Sequence, residues 1–236
     1  MRLRILDLFS GIGGFSLGLE RTGGFETAGF CEIDPFCRRV LAAHWPDVPC
    51  HDDVRTMQFT EGMADVVTAG FPCQDVSYAG AGAGLAGERS GLYREVVRAV
   101  RMVRPLHAIL ENVAALLGRG LGTVLGDMAE IGYDAEWHCI PASAVGAPHR
   151  RDRIWIMAHA HGAGLEGRWG NVKCSGERSS WAGVSAEDWS KPHPDLYREP
   201  DGVSGRMDRL KALGNAVVPQ IPEIIGRAIL ATRGKC

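Results

Sequence analysis

No apolar run in this 236-residue sequence approaches the length that crosses a bilayer. The N-terminal MRLRILDLFSG passes straight from a short apolar stretch into Asp7 and a glycine loop, which reads as a strand rather than a cleavable signal. The protein is therefore expected in the cytoplasm, with no membrane partner. Seven cysteines (Cys31, Cys37, Cys50, Cys73, Cys139, Cys174 and Cys236) are odd in number and scattered, with no C-x-x-C pair and no cysteine-histidine cluster at zinc spacing. Structural disulfides and a metal site are not expected. Lysine is scarce as well: only Lys173, Lys191, Lys211 and Lys235 occur, and the other basic residues are arginines. Arginine is the better bidentate partner for phosphates and guanine edges, but GC-rich coding produces the same bias. A net charge of -2 does not by itself announce a nucleic-acid binder.

What is present suits one substantial hydrophobic core with a small appended lobe. Up to residue 158, short apolar runs alternate with amphipathic segments of helical length, the pattern of an α/β sheet with helices on both faces. Strands are predicted at Leu3 to Phe9, Thr27 to Cys31, Val66 to Ala69, Ala108 to Glu111, Ala135 to Ile140 and Ile154 to Ala158. Helices are predicted at Phe15 to Arg21, Pro35 to His44, Leu92 to Val103 and Thr123 to Ile131. Composition shifts at His159, and residues 159–205 are rich in Gly, Ser, Pro and Trp without sustained periodicity, so they read as a loop-rich insert. Regular structure resumes over Arg206 to Leu213 and in a helix from near Pro222 to near Thr232, giving a C-terminal segment of residues 206–236.

Four strand ends carry chemistry. Asp7-Leu8-Phe9-Ser10-Gly11-Ile12-Gly13-Gly14-Phe15 is a strand running into a glycine loop that opens a helix; it either admits a ligand close to the backbone or is simply a tight turn. Ser16 stands where a strict dinucleotide fingerprint has glycine, which disfavours a nicotinamide enzyme. Glu32, after the second strand, suits ribose hydroxyls but also suits a helix start. His51-Asp52-Asp53-Val54 offers a carboxylate to an adenine amino group, a weak signal alone. The fourth is Thr68-Ala69-Gly70-Phe71-Pro72-Cys73-Gln74-Asp75-Val76-Ser77, where a buried strand delivers a proline-stiffened loop with one cysteine to the sheet edge at which ligands bind in open α/β folds.

Gly70 to Gln74, together with Asp7 to Gly14, resembles the C5-cytosine DNA methyltransferase family. Glu111-Asn112-Val113, Arg151-Asp152-Arg153 and Gly214-Asn215-Ala216-Val217-Val218 then follow in the family's order. The resemblance implies a Rossmann-like, S-adenosylmethionine-dependent methyltransferase fold, α/β with a mostly parallel sheet, a small loop-rich insert, and a C-terminal segment that returns to complete the catalytic domain of residues 1–158. It implies transfer of methyl from S-adenosylmethionine, leaving S-adenosylhomocysteine, to carbon 5 of a flipped cytosine in double-stranded DNA, with no metal. Cytosine carbon 5 is a poor nucleophile, so a thiolate must first add to carbon 6; the resemblance makes Cys73 that nucleophile. Glu111 would protonate ring N3, Arg153 would hold the O2 edge, and Arg151 would steady the cysteine loop or a phosphate.

The cofactor residues implied are Phe9, Gly11, Ile12 and Gly14 at the amino-acid portion, Glu32 and Ile33 at the ribose and its surroundings, and Asp53 and Val54 at the adenine. Pro72, Leu92, Asn215 and Val217 would close the pocket. Gln74, Ser77, Arg89, Arg168 and Arg206 are the residues expected at DNA. The glycine-rich run up to Gly91 suits either a lid or an ordinary surface loop. Two features depart from the family: His149 stands where glutamine is frequent, and the region between Ala158 and Arg206 is short. A monomer is expected, nucleoid-associated while acting, with a cognate restriction endonuclease as a partner in function only. Two other readings stay open, an RNA (tRNA) cytosine-C5 methyltransferase and an inactive DNA-binding relative.

Overall fold

The computed structural model describes residues 1–72, 91–147, 149–161, 208 and 212–233. Within them the chain runs β1 (Leu3–Leu8), α1 (Gly14–Glu20), β2 (Phe25–Cys31), α2 (Pro35–His44), β3 (Cys50–His51), β4 (Val66–Gly70) and α3 (Gly91–Val103). It continues with β5 (His107–Val113), α4 (Leu116–Arg119), α5 (Leu121–Glu130), β6 (Tyr133–Pro141), a 3-10 turn (Ala142–Val145), β7 (Asp152–Ala160) and α6 (Gln220–Arg233). Most of the insert expected over residues 159–205 lies outside the described residues. So does most of the regular structure expected from Arg206, although Asp208 and residues 212–215 are helical. Among the described residues, no helix is long and apolar enough to cross a membrane.

The strands form one mixed sheet in the order β3-β2-β1-β4-β5-β7-β6, parallel from β3 to β5 and antiparallel at β7 and β6. β1 and β4 are buried on both faces, as parallel strands covered by helices must be. One core layer places Tyr93, Val96 and Val100 of α3 and Val124 and Met128 of α5 against Leu6, Val67 and Leu110. On the opposite face Phe15 and Leu19 of α1 and Ile221, Ile225 and Ile229 of α6 pack with Ile5, Ile109 and Trp155.

The C-terminal helix is thus part of the core, and glycines make its seat. A Cβ on Gly14 would strike the Val217 backbone, and one on Gly18 would strike that of Pro219. Several boundaries moved for identifiable reasons. β1 stops at Leu8 because Phe9 turns into the left-handed region at φ 53°. β3, with two residues, is too short to show alternation, and β7 reaches Ala160 because its pairing with β6 continues to Tyr133. α2 starts as expected: Pro35 opens it, and the Asp34 carboxylate accepts the Phe36 and Cys37 N–H groups.

Candidate active site

β7 enters the sheet beside β5, so Glu111 and Arg153 meet although 42 residues of chain separate them. Arg153 Nε donates to Glu111 Oε1 at 2.9 Å. The other oxygen, Oε2, reaches toward the end of β4: a Cβ built on Gly70 would lie 3.6 Å from it, and 3.9 Å from both Phe15 and Val217. Gly70 also pairs with Glu111 in the parallel register. Glu111 therefore overlooks the point where the chain leaves β4 toward Cys73. Burial raises its pKa above the ordinary carboxylate value, against the opposing pull of Arg153 and Arg151. Arg151 is half-buried, takes φ 32°, and has its own pKa lowered by burial and by Arg153. The Ala142 N–H ties this arginine segment to the end of β6 by donating to the Arg150 carbonyl at 2.8 Å.

Two side chains near this edge had no assigned role in the sequence. Asn112 is buried; its Nδ2 donates to the Phe71 carbonyl at 3.1 Å while its Oδ1 accepts the Val113 N–H at 2.8 Å. Phe71 in turn packs on Tyr93 at a ring separation of 5.2 Å. The motif Glu111-Asn112 was visible, but what Asn112 holds required the β4–β5 pairing. Asp7, fully buried, accepts from Thr68 Oγ1 at 2.7 Å and Ser16 Oγ at 2.9 Å, and burial pushes its pKa up to about 7. The serine in the place of a third glycine therefore binds α1 to the strand end.

On the cofactor side, the turn from β1 to α1 carries three successive departures into the left-handed region, Phe9, Gly11 and Gly13. A Cβ on Gly11 would meet nothing within 4 Å, so the turn leaves an open cradle there. Glu32 is buried; its Oε2 accepts the Gly11 N–H and its Oε1 the Asp34 N–H, both at 2.7 Å. Beside it Ile33 is 66% exposed, an apolar face left to solvent at a strand end. Asp53, one strand over, is clasped by Arg55 through Nε at 2.9 Å and Nη2 at 2.6 Å, which holds its carboxyl down to about 2. A carboxylate over the cradle, an exposed apolar side chain and a second carboxylate clasped by Arg55 form a set of acceptors and an apolar wall that fit an adenosyl group, whose ribose hydroxyls and adenine amino group donate.

Other expected residues take varied positions. Val54 is buried in the core. Gly14 faces Val217, so its missing Cβ serves helix packing, and Val217 also reaches Gly70. Phe9 and Leu92 pack partly buried against the first core layer, Ile12 is half-buried, and Pro72 and Asn215 are exposed. Cys73, Gln74, Ser77, Arg89, Arg168 and Arg206 lie outside the described residues.

The sheet order, with its antiparallel β7 between β5 and β6, and the strand-end site define a Rossmann-like, S-adenosylmethionine-dependent methyltransferase fold. The family model for C-5 cytosine-specific DNA methylase matches residues 3–194, and the chain belongs to that family. Among curated relatives, Type II methyltransferase M2.BsuMI of Bacillus subtilis (strain 168) is 35% identical over 164 residues, 66% of this chain and 42% of that protein. Type II methyltransferase M.BanI of Aneurinibacillus aneurinilyticus is 37% identical over 166 residues, 66% of this chain and 38% of that protein. The chain thus spans less than half the length of these relatives. The crystal structure of the S. pombe Dnmt2 methyltransferase matches with a TM-score of 0.57 at 20% identity, over 67% of this chain and 51% of that one, which shows the fold alone.

Proposed function

We propose that the protein methylates carbon 5 of cytosine in double-stranded DNA through addition of the Cys73 thiolate to carbon 6. The observation that carries this reading is the Glu111–Arg153 pair poised over Gly70, three residues before Cys73. With Oε1 committed to Arg153, the proton of Glu111 belongs on Oε2, where it can pass to ring N3 as Cys73 attacks. A raised pKa keeps that acid protonated over more of the working pH range. Arg153 stays beside the carboxylate as it ionises, and its remaining N–H groups suit the O2 edge of the same base. S-Adenosylmethionine, when bound, supplies the electrophilic methyl that carbon 5 takes.

The carbon 5 proton must then leave and the carbon–sulfur bond break, returning the electron pair to Cys73 as the N3 proton goes back to Glu111; water or the Ser77 hydroxyl takes the carbon 5 proton in this reading. Glu32 and Ile33 would hold the ribose side of the cofactor, Asp53 and the Val54 backbone the adenine, and the Gly11 cradle the amino-acid end. Gln74, Arg89, Arg168 and Arg206 would contact DNA, and the chain would act as a cytoplasmic monomer with no resident metal, paired in function with a restriction endonuclease. Bisulfite sequencing of DNA from a methylation-free host expressing this chain tests the reading. Protected cytosines in a defined sequence context are expected; full conversion, alongside methyl transfer to tRNA in a labelled-methyl assay, would overturn it.

A further inference from the structure

We propose that Arg98 is a positioning residue for the adenine end of the methyl-donor site, acting through the turn that carries Asp53 and Val54. The inference rests on the placement of the adenine at that turn given under Proposed function.

The turn is a single helical loop with a defined start and an unsupported finish. At its start the Asp53 carbonyl accepts the Thr56 and Met57 N–H groups, both at 3.1 Å, and the Asp53 carboxylate accepts the Arg55 N–H at 3.0 Å. Such a turn leaves carbonyls pointing onward, which in a longer helix would be bonded by the next turn. Arg98 takes their place. Its Nη2 donates to the Val54 carbonyl at 2.7 Å and its Nη1 to that of Met57 at 3.2 Å. The same guanidinium lies 4.5 Å over the Phe59 ring, and its Nε donates to Glu95 at 2.6 Å. Four fixed contacts leave the planar group little freedom, and charge-assisted bonds of this kind are the stronger ones.

The helix that presents Arg98 is itself seated in the core. Tyr93, Val96, Ala99, Val100 and Val103 of α3 are all buried in the first core layer. Val54, Met57 and Phe59 belong to the same layer. Arg98 therefore refers the turn's backbone to the core instead of leaving it as surface loop. A ligand that reads the Asp53 carboxylate and the Val54 backbone needs both held to within a fraction of an ångström. Lysine in place of Arg98 could serve one carbonyl as a point charge but not span two.

Titration calorimetry of the full chain with S-adenosylhomocysteine, with steady-state methylation of duplex DNA, tests the assignment. Arg98→Gln is expected to raise the Kd for S-adenosylhomocysteine roughly tenfold, with kcat at saturating cofactor and the KM for DNA within about twofold of the wild type. Arg98→Lys should fall between the two. Phe59→Leu, which keeps both carbonyl bonds and removes the ring, covers the case in which Arg98→Gln does not fold; it should weaken binding about threefold. Unchanged Kd in the folded variants, even with a lowered Tm, would make Arg98 a structural strut and overturn the proposal. A wild-type protein that binds no S-adenosylhomocysteine would instead remove the cofactor reading on which it rests, and the assignment with it.

Discussion

Strands β5 and β7 run side by side and bury titratable groups at both ends, but the two ends handle that burial differently. At the C-terminal end of β5, Glu111 is paired with Arg153 and feels Arg151 as well. At the N-terminal end, His107 and His159 meet through their Nδ1 atoms at 3.0 Å, with Glu136 3.5 Å from His159 Nε2. Burial dominates there: it pushes His159 down to about 4 and Glu136 up to about 7, so both tend toward their neutral forms. A carboxyl kept beside a guanidinium can lose its proton and remain supported as an anion. A neutral imidazole such as that of His159 holds shape but offers no such cycle. The strands are the same; the arginines at the start of β7 are what separate the two ends.

Disabling the paired end should have the largest effect. Cys73→Ser is expected to abolish methyl transfer in a labelled-methyl assay while cofactor binding persists by calorimetry. Glu111→Gln should lower kcat by about 10²–10⁴-fold in single-turnover assays, with cofactor affinity unchanged; a loss of cofactor affinity instead would move Glu111 into the binding site. Arg153→Ala sharpens the contrast further, because it leaves Glu111 with burial and less opposing charge. The pKa of Glu111 should rise again, shifting the basic limb of the kcat–pH profile upward together with a drop in kcat/KM.

The opposite end should respond in stability alone. His159 is depressed from 6.5 to about 4, so its contribution is present above the unfolded value and is lost as pH falls toward 4. Glu136 is raised from 4.5 to about 7, so its contribution is present below the unfolded value and is lost as pH rises through 7. Calorimetric Tm should therefore decline on both sides. The smallest effect expected is that of Glu136→Gln, which should flatten the decline toward pH 7 and leave kcat alone. A change in kcat in that variant would mean the two ends are coupled, and the comparison would fail.

Much of the arrangement was legible in order but not in contact. Alternating apolar runs and helical segments predicted the α/β class, and most strand centres lie where the pattern put them. β3 was expected only as a strand end at His51, without bounds, because two residues cannot show a period, and α4 escaped because one helical turn resembles a loop. Gly14 was read as room for a ligand, and the space a Cβ would take there is occupied by Val217, a contact the motif alone does not reveal. Asp53 carried the right charge, but its clasp by Arg55 is a local geometry that composition does not disclose. Asp7 and Ser16 share a motif, yet the Thr68 that completes their hydrogen bonds comes from β4.

The residue types themselves determined the chemistry available to this chain: one cysteine after a proline at a strand end, an acid, two arginines and a glycine turn, in the order of the C-5 cytosine-specific DNA methylase family. Those choices depend on side-chain chemistry and local backbone preference, which the one-dimensional pattern records. The tertiary structure alone decided which groups share a proton and which share a wall. Glu111 finds Arg153 because β7 folds back between β5 and β6. Val217 reaches Gly70 because α6 buries its isoleucines on the sheet beside α1. Both depend on burying apolar surface between segments far apart in the chain, a drive without direction that no local motif encodes.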